Sequence, residues 1–352
     1  MSTITWTENE AFCTARWHSE NASAAPAHLV VADDRITANA AHRLARSGTG
    51  LLWRGDFHNG RQLLRAMARR MRPSAGERAA GTERPGRGAR AELLGKLVVL
   101  LEPDHALHLR RAPDVRAACD HAYGPATGPT VVSLPELLGV LGAYQWHLTG
   151  IEIPALHARI HPDYGVFAPT RGDYVDLVAR APLPAGAALA FDLGTGTGVL
   201  AAVLARQGVR VVATDVNPRA VRCALANLTR LGLADRVRTV ETGRWPDGRA
   251  DLVVCNPPWL PGRPASAVEL GVYDAGSGML HQFLDGLAEH LTPGGEGWLV
   301  LSDLAERRGL RTRGELLARI GAAGLRVAGR DDLEPRPGRG ADQVTSLWRL
   351  CR

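Results

Sequence analysis

The chain is short of lysine. Lys96 is the single lysine, so the 42 basic residues and the formal charge of +6 rest on arginine. With abundant Ala and Gly, that one-sided choice reads as the composition of a GC-rich genome rather than as selection for phosphate contacts. Net charge speaks to association, not to fold. A local arginine excess over 61–90 is the sharper nucleic-acid signal. Paired cysteines are missing too. Cys13, Cys119, Cys223, Cys255 and Cys351 are scattered and form no Cys-x-x-Cys, which excludes a disulfide framework and a thiolate zinc site. His105 and His108 have no cysteine or acidic cluster at ligand spacing. They read as a surface or helix pair, and no metal is expected. No apolar run reaches the roughly 20 residues that span a bilayer. The first twenty residues lack the basic-then-apolar pattern of a signal peptide. The expectation is a cytoplasmic protein with no membrane partner.

What is present begins with length. A chain of 352 residues suggests about two domains, each with its own core. The second half alternates strand and helix patterns. Its strands are "ALAFDLG", "RVVATDV", "VRTVETG", "DLVVCNPP", "EGWLVLSD", "LRVAGRDDL" and "VTSLWRLCR". Between them lie helical stretches such as "PRAVRCALANLTRLG", with Pro218 at a helix start. A turn at Pro293–Gly295 closes the helix "LHQFLDGLAEHL". This rhythm predicts a doubly wound α/β sheet of seven strands. The first half has a weaker α/β rhythm ("GLLWRG", "KLVVLLEP", "TVVSL"), with a helix "GRQLLRAMARRMR" after the turn "RGDFHNGR" and another from Pro135. Residues 72–90 lack periodicity and read as a loop or a basic arm. The joining segment "HARIHPDYGVFAPTRGDYVDLVA" predicts a strand and hairpin, then a helix from Asp173. The boundary falls near 150–165, giving a smaller α/β domain over 1–155 and a second over 156–352.

In "DLGTGTG", Gly194, Gly196 and Gly198 follow the first strand of the second sheet directly. Glycines there let backbone approach a ligand closely, at a helix N-terminus whose N–H groups are free for an anion. Val199 stands where a dinucleotide fingerprint needs a glycine, so the plain dehydrogenase pattern fails. Asp215 closes the next strand, where such folds place an acid on ribose hydroxyls. At the end of the fourth strand stands "NPPW", Asn256 to Trp259. Alone it is only a turn string; after the glycine loop and the acid it is a catalytic candidate.

These strings resemble the class I S-adenosylmethionine-dependent methyltransferases, whose domain is a Rossmann-like seven-stranded sheet. "FDLGTGTG" is similar to their first motif and "ATDVNPRAV" to their second. The resemblance implies S-adenosylmethionine as cofactor. Asp192, Gly194, Thr195, Gly196 and Gly198 would form the loop around it, and Asp215 with Val216 would hold its ribose. Glu241 and Thr242 would stand near adenine, and Asn256 close to the methyl group. "NPPW" resembles the Asn-Pro-Pro-aromatic motif of enzymes that methylate planar nitrogens. A lone pair delocalised into a π system is a poor nucleophile. Pre-placed acceptors, the Asn256 side-chain oxygen and the Pro257 carbonyl, would turn it toward the methyl group with little reorganisation. The prolines restrict the turn, and Trp259 would stack on the flat acceptor group.

Two branches share the motif. The joining segment with its "GVF", and an α/β first half without a glycine loop, resemble ribosomal RNA guanine-N2 methyltransferases, in which a degenerate copy of the fold precedes the active one. Release-factor glutamine methyltransferases carry Asn-Pro-Pro-Tyr and a small helical bundle, and this chain departs from both. The leading expectation is an RNA base, with RNA or the ribosomal subunit as partner. A small-molecule acceptor and a protein amide are the alternatives, and a binding module without turnover comes last. Phe167, Pro258, Tyr273 and His281 are candidate substrate contacts, and residues 260–280 a candidate lid.

Overall fold

The computed structural model describes residues 2–71, 86–170, 172–262, 271–333 and 343–352. The chain divides into two compact units, Met1–Gln145 and Trp146–Arg352.

The first unit is built on a six-stranded mixed sheet. Its strands are β1 (Thr3–Glu8), β2 (Ala11–Trp17), β3 (His28–Ala32), β4 (Thr49–Trp53), β5 (Leu97–Leu101) and β6 (Thr130–Ser133), in the order β1-β2-β6-β5-β4-β3. Strands β3, β4 and β5 run parallel, and β6 is antiparallel to β5. Alternation sorts their side chains. Leu51, Trp53, Leu97 and Val99 enter one core, while Leu52, Val98 and Val131 join Ile4, Trp6 and Trp17 in another. The β1–β2 hairpin, absent from the sequence reading, closes through Asn9 and Glu10, both at positive φ. That is the backbone twist a two-residue hairpin loop requires. Among the described residues its helices are α1 (Ala38–Arg46), α2 (Phe57–Arg70), α3 (Arg87–Gly95), α4 (Arg116–Tyr123) and α5 (Leu134–Thr149), α5 running past the unit's last residue.

Three expectations are corrected here. Within "RGDFHNGR" the helix already starts at Phe57, because Asp56 caps it by accepting from the His58 and Asn59 amides. The run 72–90 is helical from Arg87 onward, and 72–85 lie outside the described residues. His105 is no surface or helix histidine. It is buried in a turn at φ 62°, its Nδ1 3.0 Å from Asp120 Oδ1.

The second unit opens with a small antiparallel pair, β7 (Ile151–Ile153) and β8 (Ala158–Ile160), and helix α6 (Asp173–Arg180). Its main sheet has seven strands. They are β9 (Leu189–Leu193), β10 (Arg210–Asp215), β11 (Val237–Glu241), β12 (Ala250–Cys255), β15 (Leu291–Ser302), β16 (Arg326–Leu333) and β17 (Thr345–Cys351), while β13 (Leu260–Pro261) and β14 (Tyr273–Asp274) form a separate short parallel pair. The order is β11-β10-β9-β12-β15-β17-β16, with β17 antiparallel to both neighbours. The expected doubly wound, Rossmann-like α/β sheet is thus present. Helices α7 (Val199–Arg206), α8 (Pro218–Arg230), α9 (Gly278–His290), α10 (Leu304–Arg307) and α11 (Arg313–Ala322) are its main helical elements. Buried clusters form on both faces of the sheet, one around Ala190, Leu204 and Val254, the other around Phe191, Val253 and Phe283. The expected turn at Pro293–Gly295 is instead an irregularity inside β15, opposite a register shift between Ala250 and Leu252. Strand order reverses between β9 and β12, the switch point at which α/β sheets hold ligands beyond their carboxyl ends. No described helix is long and apolar enough to cross a membrane.

Candidate active site

A cavity of about 310 Å³ lies beyond the ends of β9, β10 and β12. Its floor is the glycine loop. Gly194, Gly196 and Gly198 have φ of 71°, 55° and 80°, the left-handed region that glycine enters freely. The Gly194 and Thr195 amides donate to Thr214 O at 2.8 and 2.9 Å, fastening the loop to the neighbouring strand. A Cβ on Gly198 would stand 3.1 Å from the Ala224 backbone, so the loop also packs closely on α8. Asp192 governs the loop from beneath. Its buried carboxylate accepts from Thr195 Oγ1 at 2.7 Å and from the Ala201 amide at 3.1 Å. Burial nevertheless pushes its pKa up to about 6.

Asp215 projects from the end of β10. Its oxygens accept from the Gly196 amide at 3.0 Å and the Asn217 amide at 2.9 Å. Burial raises its pKa as well. Two backbone bonds hold the carboxylate at the cavity wall and leave acceptor capacity for a diol. Beside it, Val216 presents an apolar side chain that is 72 % exposed. With Thr242, Gly243, Arg244 and Trp245 it lines this part of the cavity. Trp245 is fixed by stacking on His290, ring centres 4.3 Å apart, and Gln282 Nε2 donates to Gly243 O at 2.6 Å.

At the other end the cavity is lined by Asn256, Pro258, Phe167, Gly271 and Met279. Two asparagines of α8 and its cap bring Phe167 here. Asn217 Nδ2 donates to Gly165 O at 3.1 Å. The buried Asn227 accepts from the His161 amide at 2.9 Å and donates to His161 O and Thr197 O. The joining segment is therefore tied to the glycine loop through one side chain. Asn256 follows the last residue of β12. Trp259 Nε1 donates to its Oδ1 at 2.9 Å.

Of the residues expected from sequence, Asp192, Gly194, Thr195, Gly196, Asp215, Val216, Thr242, Asn256, Phe167 and Pro258 line this one cavity. Gly198, Glu241, Pro257, Trp259, Tyr273 and His281 are not among its lining residues. Gly198 caps α7, and Pro257 is buried. Glu241 ends β11 exposed, paired across from Asp215. Tyr273 pairs with Leu260 in a short strand contact, and His281 is an exposed residue of α9. Residues 263–270 of the candidate lid lie outside the described residues. Tyr174, Trp245, Cys255, Met279 and Phe283 also line it and carry no local sequence signal. Only the Asn217-Pro218 cap, a helix-start signature, pointed toward Asn217.

The donor set suits S-adenosylmethionine. The glycine loop would offer close backbone to the amino-acid end, the anchored Asp215 would accept from a ribose, and Val216 and Thr242 would border a purine. Residues 157–310 match a family described as the methyltransferase small domain. A ribosomal protein L11 methyltransferase of Pelotomaculum thermopropionicum is 35% identical over 145 residues, covering 40% of this chain and 39% of that protein. A release factor glutamine methyltransferase of Gloeobacter violaceus is 31% identical over 157 residues, 40% of this chain and 54% of the relative. The ribosomal RNA small subunit methyltransferase C of Alcanivorax borkumensis is 32% identical over 109 residues, 31% of this chain and 30% of the relative. The chain thus spans 39% and 54% of the length of the first two relatives.

Proposed function

We propose, from the match of residues 157–310 to the methyltransferase small domain, that the chain is an N-methyltransferase acting on a planar nitrogen. The observation that carries the reading is the placement of Asn256 in the same cavity as the glycine loop and Asp215. S-adenosylmethionine, when bound, supplies an electrophilic methyl group. Asp215 would accept from the ribose hydroxyls, and the loop from Gly194 would admit the amino-acid end. Thr242 and Val216 border the base.

At the reacting end, Asn256 Oδ1 accepts a proton of an amino or amide group, and that bond turns the nitrogen's lone pair out of conjugation and toward the methyl donor. This acceptor is set in place before reaction, which is where electrostatic catalysis gains most. Positioning two bound reactants does the rest. No general base is needed at the start, since the acceptor nitrogen is neutral; once methylated it is cationic and releases one N–H proton to solvent. The thiol of Cys255, kept protonated by its burial, takes no part.

The acceptor is an exocyclic base amine in RNA, with the ribosomal subunit as partner. The six-stranded α/β first unit, in place of a helical bundle, and the ribosomal RNA methyltransferase among the relatives support this. The first unit would then serve substrate recognition. A protein glutamine amide is the second reading, favoured by the release factor relative. The test is labelled-methyl transfer from S-adenosylmethionine into ribosomal subunits, cellular protein and small metabolites. Label in ribosomal RNA is expected, and Asn256→Ala abolishes it while sparing cofactor binding by calorimetry. Label confined to protein or to metabolites refutes the RNA assignment. An Asn256→Ala protein with undiminished transfer refutes the mechanism.

A further inference from the structure

Trp259 lies outside the cavity lining. Its half-buried ring packs against the buried clusters of both sheet faces. Its polar edge reaches only three residues back, where Nε1–H donates to Asn256 Oδ1 at 2.9 Å. We propose that Trp259 is a positioning residue: its indole N–H fixes which atom of the Asn256 amide faces the methyl acceptor.

The physical reason is the difference between the two partners. An asparagine amide has an acceptor end and a donor end of nearly equal shape, and rotation by half a turn about χ2 exchanges them. An indole N–H is a donor only. Packed against two cores, it cannot turn away, so the amide atom it meets must be oxygen. Oδ1 has two acceptor sites, and the indole takes one. The other remains for an N–H of the group to be methylated. If the amide were reversed, Nδ2 would meet the indole donor to donor and the acceptor's amino group likewise, and neither bond would form. A phenylalanine at 259 would leave the amide free to rotate. A tyrosine hydroxyl, both donor and acceptor, would tolerate either orientation. Trp259 alone among the aromatic residues commits Asn256 to one.

This role rests on the methyl-transfer reading of Asn256, yet its first test needs no transfer. The protein is labelled with 15N in its tryptophan indoles, and the Trp259 signal is identified as the one lost in Trp259→Phe. Removing the acceptor with Asn256→Ala is expected to shift that indole proton upfield and speed its exchange with solvent. A signal unmoved by Asn256→Ala overturns the inference whatever the methyl acceptor proves to be. The second test places β-(3-benzothienyl)alanine at position 259, which keeps the bicyclic shape and replaces only the N–H by sulfur. Transfer from labelled S-adenosylmethionine into small ribosomal subunits is then followed. We expect kcat to fall about tenfold, the factor for an interaction of roughly 1.4 kcal/mol, with both KM values within about twofold. An unchanged kcat overturns positioning and returns the ring to a packing or stacking role. Absence of transfer by the unaltered protein would instead count against the methyl-transfer reading, with the indole signal still deciding the contact.

Discussion

At Asp192 burial and hydrogen bonding pull in opposite directions. Two donors favour its anion, but desolvation and the charge of Asp215 outweigh them, and its pKa rises from 3.8 to about 6. A folded-state pKa above the unfolded one means that the native state binds the proton more tightly. The resulting stabilisation is fully present below about pH 4 and is lost as pH rises through about 6. Its size is about 3 kcal/mol as an order of magnitude. The urea midpoint of the second unit should therefore rise on going from pH 7 to pH 5, and Asp192→Asn should flatten that rise. A variant with the slope of the parent protein would mean that Asp192 titrates normally. Gly198 makes a second residue-scale case. At φ 80° and with a Cβ position 3.1 Å from the Ala224 backbone, Gly198→Ala meets both dihedral strain and a wall that cannot swing aside. A loss of about 1–3 kcal/mol is expected, read as a lower thermal midpoint. At this scale the sequence marked Asp192, the three glycines and Asp215 because their residue types are fixed by backbone geometry. It pointed to Trp259 but not to its role, because the bond to Asn256 depends on how the turn folds the ring back.

Elements were legible to the extent that burial and periodicity coincide. The central strands of the second sheet, β9, β10, β12, β15 and β17, stood out because they are largely buried and most are separated by helix-length segments. The β1–β2 hairpin did not, since its turn uses Asn9-Glu10 without a glycine, and the left-handed φ of Glu10 is held by the paired strands. Strand β3 was missed because it is a short edge strand with three of its five residues exposed. Helix α2 starts three residues earlier than its periodicity suggests, and the cause is tertiary. The Asp56 side chain that caps it is buried and accepts from Arg111 at 2.6 and 2.8 Å and from Arg110 at 3.1 Å. Arg111 holds the Asp56 carboxyl far below the usual carboxylate range. Asp56→Ala removes the cap and leaves two guanidinium groups without this acceptor. A less stable first unit is expected, seen as faster amide exchange along 57–70.

For the whole molecule these two carboxylates give the units opposite responses to acid. The depressed pKa of Asp56 contributes stability that is present above its ordinary value of 3.8 and lost as pH falls below it. The raised pKa of Asp192 contributes in the other sense. Hydrogen exchange followed by mass spectrometry as the pH is lowered through 4 should open peptides of 1–145 before those of 146–352. Simultaneous opening, or the reverse order, would show that other groups dominate.

The sequence by itself determined the alternation of strands and helices in the second unit. It also determined the glycine loop, the acid after the second strand and the Asn-Pro-Pro turn, because each depends on residues close together in the chain. Only the tertiary structure decided which of them share a cavity. Reversal of strand order between β9 and β12 brings Asn256 beside Gly194 and Asp215 and carries Trp245, Met279 and Phe283 to the same wall. It leaves Glu241, Tyr273 and His281 out of that wall. Residues far apart in sequence meet there through sheet order and crossover packing, and no local pattern encodes such a meeting.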